Sequence, residues 1–399
     1  MANTILTDEV IAKEALMLLE NNIVFAKGVN RKYEKTFEGE RKVGDTINVK
    51  KPSQYTVRSG AVASVQDNTQ ESVPVVVDQQ KGIDVAFTSK ELALDLNDFS
   101  KEVLAPQVAM LANQIDYDGL ALYKQVPNLV QGTLANFDTY LNAGAALDDN
   151  GCPMDGQRNI ILNPRSQVQV VNGLKGLFQS SNQIKDQYEK GQMGTAAGFD
   201  WAMSQNISTH LVGIHGGTPL TAAAGSAGAS SIATDGWTAS TAILKQGDVF
   251  TIADVYAVNP MTKQSTGQLR QFVVTADVSS SAGGLATVSI YPAMVASGPT
   301  QNISALPADN KAIVVLGTAN TSYGANLAYH KDAFTLVTVD LPLPKGMDMA
   351  ARASSAKAGL SIRLVRGYDI TNDKFISRLD VLYGWKAIRP ELACRIQGT

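Results

Sequence analysis

The sequence is poor in cysteine and in charge, and each shortage excludes a class of protein. The chain of 399 residues has two cysteines, Cys152 and Cys394, which are too few for a disulfide framework. A reducing compartment is therefore expected, with synthesis in the cytoplasm. Charged residues make up only 18% of the chain and the formal net charge is −3. A general DNA-binding protein would show a basic excess, so this class loses support.

Long apolar runs are also missing. No uninterrupted apolar stretch of about 18 residues occurs, so no membrane-spanning helix is predicted. Residues 1–9 contain neither a basic region nor an apolar run, and we expect no secretory signal. Apolar residues nevertheless form 44% of the chain, enough for a sizeable core. At about 150 residues per domain, the length predicts two to three domains.

Motifs for catalysis and for ligand binding are incomplete. His210 and His215 lie five residues apart, which fits neither a helical zinc pair nor a zinc finger. Ser226 lacks the first glycine of a nucleophile elbow, because Ala224 takes its place. A P-loop spacing that begins at residue 39 has Asp45 where lysine is needed. The sequence therefore predicts no catalytic residue, no cofactor and no metal site.

The first 30 residues have the pattern of a helical arm. Thr7 is a suitable N-cap, and Gly28 is a suitable end. One apolar stripe follows the predicted helix and consists of Ile11, Ala15, Leu18 and Leu19. A single short helix is marginally stable alone, so we expect it to pack on another part of the fold or on another chain.

Residues 31–87 alternate between apolar and polar side chains, which predicts a long β-ribbon. Between Arg31 and Arg58 the segment carries eight basic and four acidic residues, a net charge of +4. The basic residues are Arg31, Lys32, Lys35, Arg41, Lys42, Lys50, Lys51 and Arg58. Two interpretations are open: a solvated hairpin face, or a protruding arm whose charges pair with a neighbouring subunit.

Helices are predicted next, over residues 88–130. Thr88 and Glu91 have the spacing of a capping box, and Asp98 is expected to cap a longer helix that extends to Val126. Pro106 should kink that helix near its start. Residues 131–215 have an α/β pattern, with a short strand at 160–162 and a helix from Pro164 to about residue 177.

Composition changes sharply at Gly216. Between Gly216 and His330 only nine residues are charged, and glycine, alanine, serine and threonine dominate. Short apolar runs at 249–252, 272–274 and 286–290 have the spacing of strands in a small barrel. We therefore predict an inserted all-β barrel domain over 216–330. Residues 331–399 then return to the host domain, with two strands joined by a turn at 371–373.

This order of elements resembles the major capsid proteins of tailed bacteriophages with the HK97 fold, and most of all the branch typified by the P22 coat protein. Three stretches carry the resemblance: 111–116 (LANQID) in the long helix, 244–250 (LKQGDVF) with 272–274 and 288–292 in the predicted barrel, and 382–391 (LYGWKAIRPE) near the C-terminus. One feature departs from the family. Its relatives carry a long charged loop in the inserted domain, whereas this sequence offers only Asp235 before Lys245.

The resemblance implies an α+β HK97-like fold with an N-arm (1–30), an E-loop ribbon (31–87), a spine helix in a P domain (88–130), an A domain (131–215), an inserted barrel (216–330) and a return to the A and P domains (331–399). It implies a coat protein that assembles with itself into hexamers and pentamers of an icosahedral head around double-stranded DNA. Scaffolding protein, portal protein and non-specific contact with packaged DNA are the implied partners, with no membrane.

The implied interfaces are the eight basic ribbon residues, and Ile11, Leu18 and Leu19 of the arm. Two other classes of function stay open from the residues alone. One is a β-rich binding module, such as a phage tail or surface component, that forms no shell. The other is an enzyme that depends on Ser226 or His215.

Overall fold

The computed structural model describes residues 8–33, 46–58, 60–63, 65–67, 70–88, 104–174, 194–355 and 360–398. Several predicted features lie outside these residues: Thr7, Lys35, Arg41, Lys42, Asp45, Glu91, Asp98 and the end of the helix near residue 177.

Contacts divide the chain into two compact units, and each is built from stretches far apart in sequence. Unit 1 contains Met1–Val49, Ser72–Gly119 and Phe334–Lys386. Unit 2 contains Lys50–Glu71, Leu120–Ala333 and Ala387–Thr399. The predicted arm over 1–30 is thus part of unit 1, and the predicted barrel over 216–330 falls entirely in unit 2.

Helices are few in the described residues. The α-helices are α1 (Asp8–Asn22), α2 (Ala105–Leu120), α3 (Phe137–Asp149) and α4 (Pro164–Leu174). Short 3-10 helices occupy Phe25–Gly28, Ala121–Gln125, Lys331–Ala333 and Pro390–Leu392.

Strands dominate, so the fold is mixed α+β with mostly β structure. In chain order they are β1 (Thr46–Lys50), β2 (Ser72–Val76), β3 (Gln79–Thr88), β4 (Asn128–Gly132), β5 (Arg158–Leu162), β6 (Thr195–Ala196), β7 (Phe199–Met203), β8 (Thr209–Leu211), β9 (Gly217–Thr221), β10 (Ala229–Trp237), β11 (Ala242–Leu244), β12 (Val249–Val258), β13 (Ser265–Val274), β14 (Val278–Ser279), β15 (Ala286–Met294), β16 (Ile313–Val315), β17 (Ser322–Gly324), β18 (Asn326–His330), β19 (Phe334–Val339), β20 (Met349–Ser355), β21 (Leu360–Asp369), β22 (Lys374–Ala387) and β23 (Ala393–Gly398).

The main sheet of unit 1 has the strand order β19-β22-β21-β20, and β3 also pairs with β22. The predicted C-terminal hairpin is present as β21 and β22, joined by a turn in which Asp373 has a positive φ of 49°. Helix α1 packs on β20 and β21. Its buried side chains are Ala12, Ala15, Leu16 and Leu19, which recur every three or four residues and so share one face. The arm therefore packs on its own chain.

The long helix differs from the prediction. Helix α2 ends at Leu120, and a 3-10 helix continues to Gln125. The predicted helix to Val126 therefore does not stay α-helical over its whole length. Pro106 is the second residue of α2 within the described residues. Gly28 ends a 3-10 helix, because α1 stops earlier, at Asn22.

Unit 2 contains a six-stranded sheet with the order β4-β23-β18-β5-β7-β6, here called the mixed sheet. The predicted strand at 160–162 forms most of β5, and its neighbour β7 runs parallel to it. The predicted helix start is present too: the Asn163 side chain accepts a hydrogen bond from the Ser166 amide at 2.7 Å, and Pro164 opens α4. Both elements could be predicted because they depend on residues adjacent in the sequence.

A second six-stranded sheet of unit 2, the module sheet, has the order β16-β12-β13-β15-β10-β9. The predicted apolar runs lie in its strands β12, β13 and β15, and they bury a core that includes Phe250, Phe272 and Val288. Its two edges meet, because Leu220 of β9 forms a bridge with Ala312, which precedes β16, and the Thr221 amide donates to the Lys311 carbonyl at 2.9 Å. The sheet is therefore closed on itself at this point.

The chain enters and leaves this region through one pair of strands. Strand β8 pairs with β17 in antiparallel register, with Leu211 opposite Ser322 and Thr209 opposite Gly324. We call this pair the stalk. The next strand, β18, pairs with β5 and β23 of the mixed sheet. The chain thus rejoins the mixed sheet before residue 330, the boundary expected from composition.

Candidate interaction surfaces

Among the described residues, the two sides of the predicted ribbon form a strand pair only at its base. Strands β1 and β2 pair with each other, and the Lys51 amide continues the pairing by donating to the Glu71 carbonyl at 2.8 Å. Beyond this base, the described residues of 51–71 contain no strand. Thr56 and Gln66 join the two sides instead: the Gln66 Oε1 accepts from the Thr56 amide at 2.9 Å, and its Nε2 donates to the Thr56 carbonyl at 2.6 Å.

Several basic ribbon residues already have partners within the chain. The Arg31 Nε donates to the Ala26 carbonyl at 2.8 Å, and the Arg58 guanidinium bonds to the carbonyl of Gly60. The Lys51 Nζ lies 3.6 Å from a carboxylate oxygen of Glu71. Lys32 and Lys50 are exposed. Three of the described basic residues, Arg31, Lys51 and Arg58, thus have partners within the chain.

An exposed apolar surface was missed in the sequence. Val57, Val62 and Val65 are 96%, 86% and 94% exposed, and Tyr55 is 56% exposed. We call these four residues the ribbon tip. The alternation of Tyr55 and Val57 predicts a strand of the ribbon, whereas the described residues around them form none. Four exposed apolar side chains so near in sequence are candidates for an interface, because contiguous apolar patches mark interaction sites.

The three predicted arm residues differ in burial. Ile11 and Leu18 are half-buried, and Leu19 is fully buried against the chain's own sheet. The segment after α1 is held by Asp116 of α2, whose carboxylate accepts the backbone N–H groups of Val24, Phe25 and Ala26 at 2.6, 3.1 and 3.0 Å.

The C-terminal motif Tyr383-Gly384-Trp385 joins several elements of unit 1. The Tyr383 hydroxyl donates to Asp118 at 2.5 Å, and the Trp385 Nε1 donates to the Ile115 carbonyl at 3.1 Å. Trp385 also stacks on Phe25, with ring centroids 5.2 Å apart. This motif therefore fastens β22 to α2 and to the segment that follows α1.

Gly384 is required by a close backbone approach. A Cβ at this position would lie 2.1 Å from the Val76 carbonyl oxygen and 3.0 Å from the Val77 Cα. Both atoms belong to the backbone that leaves the ribbon base. The glycine lets β22 approach that base, and no other residue type would fit without moving it.

Polar contacts tie the module sheet to the mixed sheet within unit 2. The Gln271 side chain of β13 bonds both main-chain groups of Leu129 in β4: its Oε1 accepts at 2.6 Å and its Nε2 donates at 2.9 Å. Tyr291 donates to Glu391 at 3.3 Å, which links the inserted region to the Arg389-Pro390-Glu391 motif. Burial is the main cause that raises the pKa of Tyr291.

A buried network of polar and charged side chains also lies where the module sheet meets the mixed sheet. One Asp248 oxygen lies 2.8 Å from the His210 Nε2, and the other accepts the amides of Gly213 and Lys245 at 3.0 and 2.7 Å. The His210 Nδ1 lies 3.3 Å from the Tyr123 hydroxyl, and the Arg395 Cζ lies 5.9 Å from the centre of the Tyr123 ring. Burial lowers the pKa of Arg395 to about 10.

The structure does not assemble the candidate catalytic groups. The His215 Nε2 bonds to the Gly317 carbonyl at 3.1 Å, whereas Ser226 is exposed in a loop between β9 and β10. Within the described ranges, no group of three or more histidine, cysteine or acidic residues could hold a metal ion. No helix found in those ranges has the length and apolar character needed to span a bilayer.

An open groove of about 370 Å³ lies along α3 in unit 2. Its lining is mostly apolar and includes Leu141 and Met154. The two charged side chains in its wall, Asp148 and Arg158, pair with each other at 2.6 Å. This arrangement offers no activated nucleophile and no general base.

Comparison with known proteins assigns the whole chain to one group. The family model described as "P22 coat protein - gene protein 5" matches residues 1–398. A "Major capsid protein" from Acyrthosiphon pisum secondary endosymbiont phage 1 is 24% identical over 432 aligned positions, which cover 100% of both chains.

Two solved structures are similar at lower identity. One, from Mycobacterium phage Che8, is 13% identical, covers 94% of this chain and 90% of its own, and has a TM-score of 0.49. The other, the capsid structure of the cyanophage P-SCSP1u, is 11% identical, covers 89% of this chain and 84% of its own, and has a TM-score of 0.42.

Proposed function

Because this chain belongs to the P22 coat protein family and is a phage major capsid protein, we propose that its copies form the hexamers and pentamers of an icosahedral head around double-stranded DNA. The family match over residues 1–398 is the observation that carries the proposal. The protein is structural and located in the virion, so the enzyme and the shell-free binding module lose their support.

We propose an HK97-like fold with an inserted barrel domain. The elements that would correspond are the arm with α1, the ribbon with β1 and β2, the spine helix α2 and the mixed sheet of an A domain. The closure of the module sheet between Leu220 and Ala312 supports a barrel. The stalk supports an insertion of residues 212–321, between Leu211 and Ser322. Both of its ends lie earlier in the chain than the range 216–330 that composition indicates.

The ribbon is proposed to lie across an adjacent subunit. A contact between two different patches builds rings and lattices instead of closed dimers, which is what a shell requires. The basic residues named above are proposed to meet acidic partners there, although single exposed ion pairs contribute only about 0–1 kcal/mol. The ribbon tip adds an apolar component, because each buried valine side chain is worth about 1.5 kcal/mol or more.

The proposal is tested by deleting residues 31–75 and imaging the purified protein by negative-stain microscopy. We expect a folded chain that forms no shells, and normal shells would refute the assignment. Two multiple variants separate apolar from charged contacts. One combines Val57→Ser, Val62→Ser and Val65→Ser, and the other combines Lys32→Gln and Lys50→Gln. The first set should reduce shell yield more than the second.

Further partners are proposed on the family resemblance. The arm with Ile11 and Leu18 is proposed to face the interior of the shell, where it would move when a procapsid expands. Scaffolding protein and a portal at one vertex are the proposed assembly partners, in the host cytoplasm. The net charge of −3 favours loose, sequence-independent contact with packaged DNA.

The inserted domain is proposed to assist folding and to shape the outer surface. Replacing residues 212–321 by a short turn between the stalk strands should lower folding yield or change the diameter of the shells. Unchanged yield and unchanged diameter would contradict this role. The full-length chain, refolded in parallel, is the control.

A further inference from the structure

We infer that Asp116 is a latch: its carboxylate keeps α1 docked by holding the segment that follows it, and loss of those bonds releases α1 while the rest of unit 1 stays folded. This inference goes beyond the proposed function and depends only on the geometry within unit 1.

The bonds of Asp116 are placed where the backbone needs an acceptor. The N–H groups at the start of a helix have no partner inside it, and here they belong to the 3-10 helix Phe25–Gly28. Val24, its N-cap residue, provides no side-chain cap. Asp116 supplies the cap from 92 residues away: Oδ2 accepts from Val24 and Phe25, and Oδ1 accepts from Ala26.

Only a carboxylate satisfies all three donors. It accepts through both oxygens and carries no hydrogen, whereas an asparagine would direct an N–H₂ group at a backbone N–H. Asp116 is 1% exposed, so water cannot replace a lost partner without opening the structure. Burial raises the pKa of Asp116, while the three amides and Arg31 act in the opposite direction.

The remaining contacts define what would move. Asn30 is tied to β19, since its amide donates to the Phe334 carbonyl at 3.1 Å and its own carbonyl accepts from the Leu336 amide at 3.1 Å. Among the side chains of α1 that the structure describes, the buried ones are Ala12, Ala15, Leu16 and Leu19, and the two alanines contribute little apolar area. A helix of 15 residues is marginal in isolation. Besides Asp116, the stacking of Phe25 on Trp385 at 5.2 Å holds this segment, so release requires that contact to open together with the bonds of Asp116, and would then free residues 8–28 to turn about Asn30.

Hydrogen exchange of the unassembled full-length chain tests the latch. In Asp116→Asn we expect amide exchange to rise by about 10- to 100-fold both at Val24–Ala26 and throughout α1, as expected for lost bonds to a charged group. Asp118→Asn is the matched control, because it removes the same charge two residues away on the Tyr383 side of α2. It should leave α1 unchanged.

The result that overturns the inference is faster exchange at Val24–Ala26 alone, since Asp116 would then be only a local cap. Unmodified protein gives a second test that needs no substitution. In increasing denaturant, α1 and Val24–Ala26 should open together, before α2 opens. Opening of α1 only with the whole unit would refute the latch. Neither readout needs a shell, so failure of the ribbon proposal would leave these results interpretable.

Discussion

Replacement of Gly384 by alanine tests how closely β22 approaches the base of the ribbon. The new Cβ would lie 2.1 Å from the Val76 carbonyl oxygen, whereas ordinary contacts begin at 3.4 Å. The obstacle is backbone, so it cannot rotate away, and the two segments must separate by more than about 1 Å. Overpacking of this kind costs about 1–3 kcal/mol.

The expected net effect follows from two opposing terms. We take the upper value, about 3 kcal/mol, because the displaced backbone adjoins the paired strand β2. Alanine gains about 0.5–1 kcal/mol over glycine in a strand, because it loses less conformational freedom on folding. Gly384→Ala should therefore lower the free energy of unfolding of unit 1 by about 2 kcal/mol, measured by urea unfolding with fluorescence of the neighbouring Trp385.

Gly144→Ala is the control for this experiment. Gly144 lies inside α3, where a Cβ would meet only Phe199, at an ordinary distance of 3.6 Å. Alanine is favoured over glycine in a helix by about 1 kcal/mol, so this variant should be as stable as the parent or more stable. A stable Gly384→Ala variant, or an equal loss in both variants, would refute the reasoning.

Two further predictions concern unit 2. Asp248→Asn should lower the free energy of unfolding by about 3 kcal/mol in urea, because it removes a buried carboxylate that interacts electrostatically with the Arg395 guanidinium, whose nitrogens have no hydrogen-bond partner among the described residues. Asp254→Asn, at an exposed carboxylate, should change it by less than about 1 kcal/mol, and equal losses would contradict the network. Burial raises the pKa of Cys152 to about 11 and of Cys394 to about 12, so both thiols should resist iodoacetamide in native protein at about pH 8. Rapid native labelling of either would show that burial does not protect it.

Local signals in the sequence were sufficient for several elements. The strand at 160–162 and the N-cap at Asn163 depend on neighbouring residues, and both are present. The apolar runs of the module sheet were also readable, because each is a short continuous segment bounded by turns. The resemblance to the family came from motifs that connect separate elements of the fold, such as Tyr383-Gly384-Trp385, which bonds to α2.

What the sequence could not provide are contacts between distant residues. The stripe of α1 predicted a buried face, but the choice of β20 and β21 as its cover depends on the folded chain. The capping of Val24 by Asp116 and the pairing of Gln271 with Leu129 span 92 and 142 residues. The ribbon tip was predicted to be a strand because alternating apolar and polar side chains are typical of strands, but the same pattern also occurs in exposed irregular chain. Periodicity cannot tell these cases apart.

The stalk has a consequence for exchange of genetic material between viruses. Because β8 and β17 are hydrogen-bonded neighbours, the two ends of the intervening segment lie roughly 5 Å apart. A folded domain whose own termini are that close can be joined at the same place if it also replaces the contacts that Gln271 and Tyr291 make with Leu129 and Glu391. Recombination can thus enlarge or replace this part of the gene as a unit. The new domain would then be present in every subunit of the particle.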